Sequence, residues 1–569
     1  MRISATLAGH FVRPMNVQRL VCAAALAVGA TTVTTTTGAQ ALTPVQRTRI
    51  DSIFASFDGT TRPGCAVGVG QGGVSLYERA YGMSDLQHGV PLSPQSIFHV
   101  ASVSKQFAAF AVALLAQDGK LSLDDDVRKH IPELPSYGHT ITLRHLIYHT
   151  SGIRDQWELL GMAGWRYPVD LFTQDDVLDI VSRQKELNFT PGDEYLYSNS
   201  GYSLLAMTVQ RVSGKSLRAF SDERIFKPLG MARTHVHDDH AMIVPGRTSA
   251  YEAGPGGWKI SIPSFDTHGA TSLFTTVGDL LKWQHNFEAM TVGTSALMKD
   301  ALTSAVLNNG KPANYGFGIS IEKFRGTEAF GHGGADAGYR ADIVRFPQHH
   351  LEVAVACNFA EATPNVHSRA VAGVVLEGKL DPAPVAAAVA GKPVALSASR
   401  LAQLAGTYKA RTNDQVLLLS AKEGTLVIDN YGIPMQPVDD RHFTVFATPV
   451  EFTGEANAIP TGIEVAALGA SMVRMPAFSP RAAGLAQYVG EYWSDELRVS
   501  YRVSLKDSTL VLHPFKQSSQ PLRPAFADAF VSGQAGTVRF TRTKGVVTGF
   551  RLTGGRTRNM AFVKSRAAR

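Results

Sequence analysis

Two hydrophobic periodicities interleave along the first two thirds of the chain. From residue 45 to about 378, long helix-like apolar stretches alternate with short strand-like runs. The stretch opened by Ala101-Ser102-Val103-Ser104-Lys105-Gln106-Phe107 is long, apolar and helix-like. A second helix is predicted around Leu204–Val212. Cys65-Ala66-Val67-Gly68-Val69 and Leu351-Glu352-Val353-Ala354-Val355-Ala356-Cys357 are strand-like, the first leading into a strand pair that turns around Gln71-Gly72-Gly73. Further strands are predicted from Phe317 to Phe359. This order predicts an α+β domain, an antiparallel sheet flanked by helices.

The pattern changes after residue 380. A Pro/Ala linker, Leu380-Asp381-Pro382-Ala383-Pro384-Val385-Ala386-Ala387-Ala388, ends the helical periods. Short alternating strands with Gly, Asn and Asp turns then take over. They repeat. Leu401-Ala402-Gln403 with Gly406 and Tyr408 recurs as Leu485-Ala486-Gln487 with Gly490 and Tyr492. Lys422-Glu423-Gly424-Thr425-Leu426-Val427 recurs as Lys506-Asp507-Ser508-Thr509-Leu510-Val511, at the same 84-residue offset. One register shared by both pairs predicts two copies of one module, each a small antiparallel β-barrel. The expected organisation is a leader over 1–41, a mixed domain over 42–378, a linker over 379–400, and barrels over 401–478 and 485–566.

Composition narrows the picture. The chain has 569 residues, 44% hydrophobic and 18% charged, as a folded multidomain protein does. Its formal charge of +7 includes Arg2, Arg13 and Arg19 in a leader without acids, and no basic cluster is interleaved with aromatics, so nucleic acid is not an expected partner. The leader predicts a secretory signal. Arg13 and Arg19 precede the apolar run Leu20–Ala30, and Ala39-Gln40-Ala41 supplies a cleavage pattern, with cleavage after Ala30 the alternative. The run is too short to span a bilayer, so no membrane anchor is expected after cleavage and the location is periplasmic or secreted. Cys65 and Cys357 predict two buried thiols, with a structural disulfide the alternative.

Three short motifs carry candidate chemistry. Ser102 and Lys105 are three apart, hence on one helix face, and a serine hydroxyl needs such a base to become nucleophilic. A helix start adds backbone N–H groups suited to an oxyanion. Tyr197-Ser198-Asn199 follows Pro191-Gly192-Asp193 and precedes a helix, so phenol and amide can enter one cleft, passing a proton and orienting the lysine. Gly331-His332-Gly333-Gly334-Ala335 lets a strand edge approach a substrate closely. His235-Val236-His237-Asp238-Asp239-His240 has a metal-like composition, but its alternation fits a solvated strand edge, and no metal is assigned to it.

Together, Ser102–Lys105, Tyr197–Asn199 and His332–Gly334 resemble, in order and spacing, the penicillin-recognising serine hydrolases: class C β-lactamases, D-Ala-D-Ala carboxypeptidases, esterases and D-aminopeptidases. Leu146-Ile147-Tyr148-His149-Thr150-Ser151-Gly152, Ile225-Phe226-Lys227-Pro228-Leu229-Gly230-Met231 and Leu273-Phe274-Thr275-Thr276 match as well. The resemblance implies a β-lactamase/transpeptidase-like fold over 45 to about 378 and no cofactor. It implies Ser102 as acylated nucleophile, Lys105 and Tyr197 as a proton relay whose base is left open, and Asn199 positioning the lysine and the substrate carbonyl. The N–H groups of Ser102 and Ala335 would form the oxyanion hole, with His332, Gly333 and Gly334 lining the site and His149 shaping a loop. Classical β-lactamases carry Lys-Thr-Gly where this chain has His332-Gly333-Gly334, and so lacks their fixed positive charge for a substrate carboxylate. The two barrels resemble the architecture of D-stereospecific aminopeptidases, in which a loop of the last barrel enters the cleft; by position that loop would be Asp528–Gly536. The implied substrates are small amides or esters, foremost D-amino-acid peptides. Esterase, weak β-lactamase and a slowly deacylating penicillin or muropeptide sensor are the alternatives. Oligomeric state is not indicated.

Overall fold

The computed structural model describes residues 41–565, apart from Pro168, 383–393, 446–447, 456, 466–469 and 534. The expected leader up to residue 40 therefore lies outside the described residues, as do half of the linker and the last residue of the second barrel. Six antiparallel strands form the central sheet of the first domain. Their order across the sheet is Ser320–Phe324, Thr327–Asp336, Tyr339–Phe346, Leu351–Cys357, Cys65–Gln71 and Val74–Tyr81. The hairpin between the last two closes through Gly72 and Gly73, at φ 56° and 82°. A two-residue turn with both φ values positive matches the strands' right-handed twist and favours glycine.

Helix Val277–Ala289 covers one face of the sheet, packing on strands Cys65–Gln71 and Leu351–Cys357. Helices Pro44–Phe54 and Pro364–Val375 pack together on the other. The predicted helix after Ser102 runs Ser104–Gln117, buried along twelve of its fourteen residues. Such a helix has no solvent face, and its tertiary surroundings rather than amphipathicity hold it. Helix Asn199–Ser213 packs against it and begins five residues before the sequence pattern suggested, placing Asn199 in its first turn.

The tail forms two closed eight-stranded antiparallel barrels. The 84-residue repeat has a structural counterpart. Tyr408 donates its hydroxyl to Leu404 O at 2.7 Å, and Tyr492 does the same to Tyr488 O at 2.6 Å. Gly406 and Gly490 open the first strands at φ 154° and 155°. The barrels nevertheless serve different neighbours. The apolar core of the second is continuous with that of the first domain, whereas the first barrel encloses a core of its own.

The two cysteines correct the expectation of free thiols. Strands Cys65–Gln71 and Leu351–Cys357 pair so that Cys65 lies directly opposite Cys357, and the two form a disulfide. They are 292 positions apart, and strand-like character alone does not say which strands are neighbours. A thiol titration of protein lacking residues 1–41 should find no free thiol before reduction and two after unfolding in reductant. Reduction should lower stability by about 2–4 kcal/mol, because the bridge closes a long loop of the unfolded chain.

Candidate active site

Ser102 occupies a single 3₁₀ turn, Ala101–Val103, between strand Phe98–His99 and the buried helix. Ala101 stands at φ 47°, in the left-handed region. Val100 N–H donates to Leu273 O at 3.0 Å, so the turn is tied to the neighbouring strand. Ser102 is half-buried, while Ala101 and Val103 are buried. Ser104 is distinct from Ser102. It is buried, donates to Ala101 O and accepts from Leu273 N–H at 2.8 Å, a structural role that leaves it unavailable for chemistry.

Lys105 is fully buried. Its Nζ lies 3.2 Å from Ser102 Oγ, 2.8 Å from Asn199 Oδ1 and 2.6 Å from Ala270 O. Burial drives its ammonium well below the ordinary lysine range; Asp155 opposes the shift and Arg556 adds to it. Asn199 is itself locked. Asp155 Oδ2 accepts from Asn199 N–H at 2.7 Å and from its Nδ2 at 2.8 Å, which turns Oδ1 toward Lys105. Asp155 also caps helix Gln156–Met162 by accepting from Trp157 N–H.

The Tyr197 ring faces the lysine, its centroid 4.7 Å from Lys105 Nζ. Burial raises the phenol above the ordinary tyrosine range, so it stays protonated at neutral pH. His149 packs tilted against the same ring, centroids 4.2 Å apart, and its Nδ1 accepts from Ser198 N–H at 3.1 Å. This contact fixes the loop that presents Tyr197, so His149 acts through packing.

On the opposite wall, strand Thr327–Asp336 pairs with Ser320–Phe324 only as far as Gly331. From His332 to Asp336 that edge is free, and Gly333 and Ala335 are exposed. Gly334 packs so closely on the Ser102 turn that a Cβ there would fall 2.2 Å from Val100 O. His332 is buried. Its Nδ1 faces Gly333 O and its Nε2 lies 2.9 Å from Tyr315 Oη. Burial and then the Lys105 charge push it down to about 4, so it is neutral at pH 7 with both ring nitrogens engaged.

The barrel loop beside this site is not the expected one. Between strands Ala529–Ser532 and Gly536–Thr543, the Asp528–Gly536 hairpin faces the first barrel: Gly533 abuts Asn430 O, and Val531 clusters with Val416. The loop Gly554–Asn559, between strands Val546–Thr553 and Met560–Lys564, reaches Tyr197 instead. The Arg556 guanidinium lies over the Tyr197 ring, 4.9 Å from its centroid. Arg556 N–H donates to Glu158 at 2.8 Å, and Asn188 Nδ2 donates to Arg556 O at 2.8 Å. Asn188 Oδ1 accepts from Arg558 N–H at 2.8 Å, and Arg154 Nε donates to Arg558 O at 3.0 Å. Gln415 of the first barrel donates to Gly554 O and Gly555 O. Position in the chain cannot rank the loops of a closed barrel, because every hairpin at one rim is a candidate; docking orientation selects among them.

Arg154 anchors the junction. It is buried and pairs with buried Glu496 of the second barrel at 2.7 Å. Removing either partner strands a charge in the interior, so Arg154→Ala or Glu496→Ala should cost about 3–5 kcal/mol, seen as a lower unfolding midpoint in urea. The double replacement Arg154→Met with Glu496→Leu should cost less than either single one.

The metal-like run around His235 divides into the pair His235–His237, whose ring nitrogens lie 3.4 Å apart, and an exposed group in which the ligand atoms of Asp239, His240 and Asp266 lie within 4.8 Å of one another. His235 and His237 pack on Phe274, Asp238 pairs with Arg218 at 3.0 Å, and His240 with Asp266 at 2.9 Å. Asp155, Tyr315, Glu158 and Arg556 were missed by sequence reasoning. Of these, only Asp155 left a trace, as a helix-capping residue just after the Leu146–Gly152 segment.

The Beta-lactamase family profile matches residues 50–376, more than half of the chain, and the protein belongs to that family. A D-aminopeptidase of Gluconobacter oxydans is 27% identical over 317 residues, covering 55% of this chain and 58% of that one. A D-aminopeptidase of Brucella canis is 28% identical over 298 residues, covering 52% and 56%. The match thus spans little more than half the length of these relatives. Among solved structures, the octameric penicillin-binding protein homologue from Pyrococcus abyssi superposes with a TM-score of 0.54 at 20% identity, covering 84% of this chain and 98% of that one. The D-amino acid amidase from Ochrobactrum anthropi SV3 gives 0.50 at 21% identity, covering 59% and 99%. These two similarities establish the fold.

Proposed function

We propose that this protein is an exported serine hydrolase that cleaves small amides, foremost those of D-amino acids, through an acyl-enzyme on Ser102. The observation that carries the reading is the convergence of Ser102 Oγ and Asn199 Oδ1 on the buried Lys105 Nζ, with the protonated Tyr197 phenol alongside. The lysine's lowered proton affinity makes its neutral amine the base. It takes the Ser102 proton as Oγ bonds to the carbonyl carbon. Tyr197 gives its proton to the leaving nitrogen as the C–N bond breaks, and is reprotonated through Lys105. Water then releases the acid by the same route in reverse. The N–H groups of Ser102 and Ala335 hold the oxyanion, and Gly334 lets that strand come close enough to do so. The D-aminopeptidase relatives support amide substrates, and the disulfide supports an oxidising compartment.

The purified protein should be screened against D- and L-aminoacyl amides, p-nitrophenyl esters and a cephalosporin, with Ser102 labelling by a neutral fluorophosphonate as a common readout. Amide turnover with Ser102 labelled is the expected result. Turnover of the esters or the cephalosporin alone would replace the amidase reading. No label on Ser102 would remove the serine mechanism.

A further inference from the structure

The second barrel supplies a cation to the site. Gly554–Asn559 is fastened through main-chain atoms: Arg556 N–H to Glu158, Arg556 O from Asn188, Arg558 N–H to Asn188 and Arg558 O from Arg154. The neighbouring arginines are spent on partners, Arg551 on Glu186 at 2.9 Å and Arg558 on Glu194 at 3.0 Å. The Arg556 side chain is exposed, and its guanidinium makes no ion pair or hydrogen bond among the described residues. It rests on the Tyr197 ring, 4.9 Å from the centroid, and Lys105 Nζ, which contacts Ser102 Oγ at 3.2 Å, lies 4.7 Å from the same centroid. A guanidinium in such a stack keeps its in-plane N–H donors free, the geometry suited to a carboxylate. The docking of the loop does not need this side chain, so its position asks for another explanation.

We propose that Arg556 binds a carboxylate carried by the leaving group, so that the enzyme selects short peptides whose departing residue has a free C-terminus over the corresponding amides. This rests on the acyl-enzyme reading, in which Tyr197 protonates the leaving nitrogen; the groups around Tyr197 then border the leaving group. Arg556 would supply, from another domain, the fixed positive charge lost where His332-Gly333-Gly334 replaces Lys-Thr-Gly. His332 cannot replace it, being neutral at pH 7 with both nitrogens engaged.

The test compares D-alanyl-glycine with D-alanyl-glycinamide in full-length wild type, Arg556→Ala and Arg556→Lys. The readout is the ratio of kcat/KM for the free acid to that for the amide. The wild type should prefer the free acid. Arg556→Ala should reduce that ratio about 10- to 100-fold, as loss of a charge-assisted hydrogen bond does. Arg556→Lys should restore part of it, and added salt should weaken the wild-type preference. Labelling of Ser102 by the neutral fluorophosphonate reports folding and nucleophile separately in each variant. A labelled wild type without preference for the free acid, including one that turns over neither peptide, overturns the inference, as does an unchanged ratio in a labelled Arg556→Ala. An unlabelled wild type removes the serine mechanism and, with it, this inference.

Discussion

Ser102→Ala is expected to lower amide turnover by several orders of magnitude while leaving the fold intact. On the proposed acyl-enzyme reading, covalent catalysis depends on that oxygen. Ser104, two residues on at the start of the helix, has both of its hydrogen-bonding roles taken by Ala101 O and Leu273 N–H. Ser104→Ala should therefore affect stability more than chemistry. Mass spectrometry of the intact protein after fluorophosphonate treatment separates the two. The adduct should map to Ser102 in the wild type and be absent from Ser102→Ala, and an adduct on any other residue would defeat the assignment.

The second large effect concerns Lys105 and Tyr197, which should behave as one unit. Lys105→Ala, Tyr197→Phe and the double variant should all acylate at similarly low rates, so the losses do not add. The expectation follows from contact: Nζ lies 3.2 Å from Ser102 Oγ and 4.7 Å from the Tyr197 centroid. The pH profile carries a further sign. Burial destabilises the Lys105 ammonium, so the amine loses its proton at a lower pH than an ordinary lysine. The rate of Ser102 acylation should accordingly rise as pH climbs through that depressed value, then level off. Asp155 opposes the shift, so Asp155→Asn should move the acid limb to lower pH. Because Asp155 also holds Asn199, that variant should lose rate as well. Near-full activity in either single variant would exclude that residue from the relay.

The sequence by itself determined whatever depends on local spacing. The i, i+3 pairing of Ser102 and Lys105, the Tyr197-x-Asn199 turn, the Gly-rich strand and the 84-residue repeat are all short-range patterns. Each maps onto an element of the fold because periodicity and turn chemistry act over a few residues. The long apolar run at Ser104–Gln117 was legible as a helix for the same reason. Tertiary structure decided what depends on which segments meet. Cys65 reaches Cys357 only because two strands become neighbours in the sheet, a pairing set by packing over the whole domain. Asp155 acts on Asn199 because a helix cap and a helix start converge, and neither announces the other. The barrel loop at the cleft was the hardest to foresee. Both barrels share one repeat, yet only the second packs its core onto the catalytic domain, and that orientation brings Gly554–Asn559 rather than Asp528–Gly536 to Tyr197. The orientation is fixed by apolar surface and by the buried Arg154–Glu496 pair, whose partners lie in different domains and carry no common local signal.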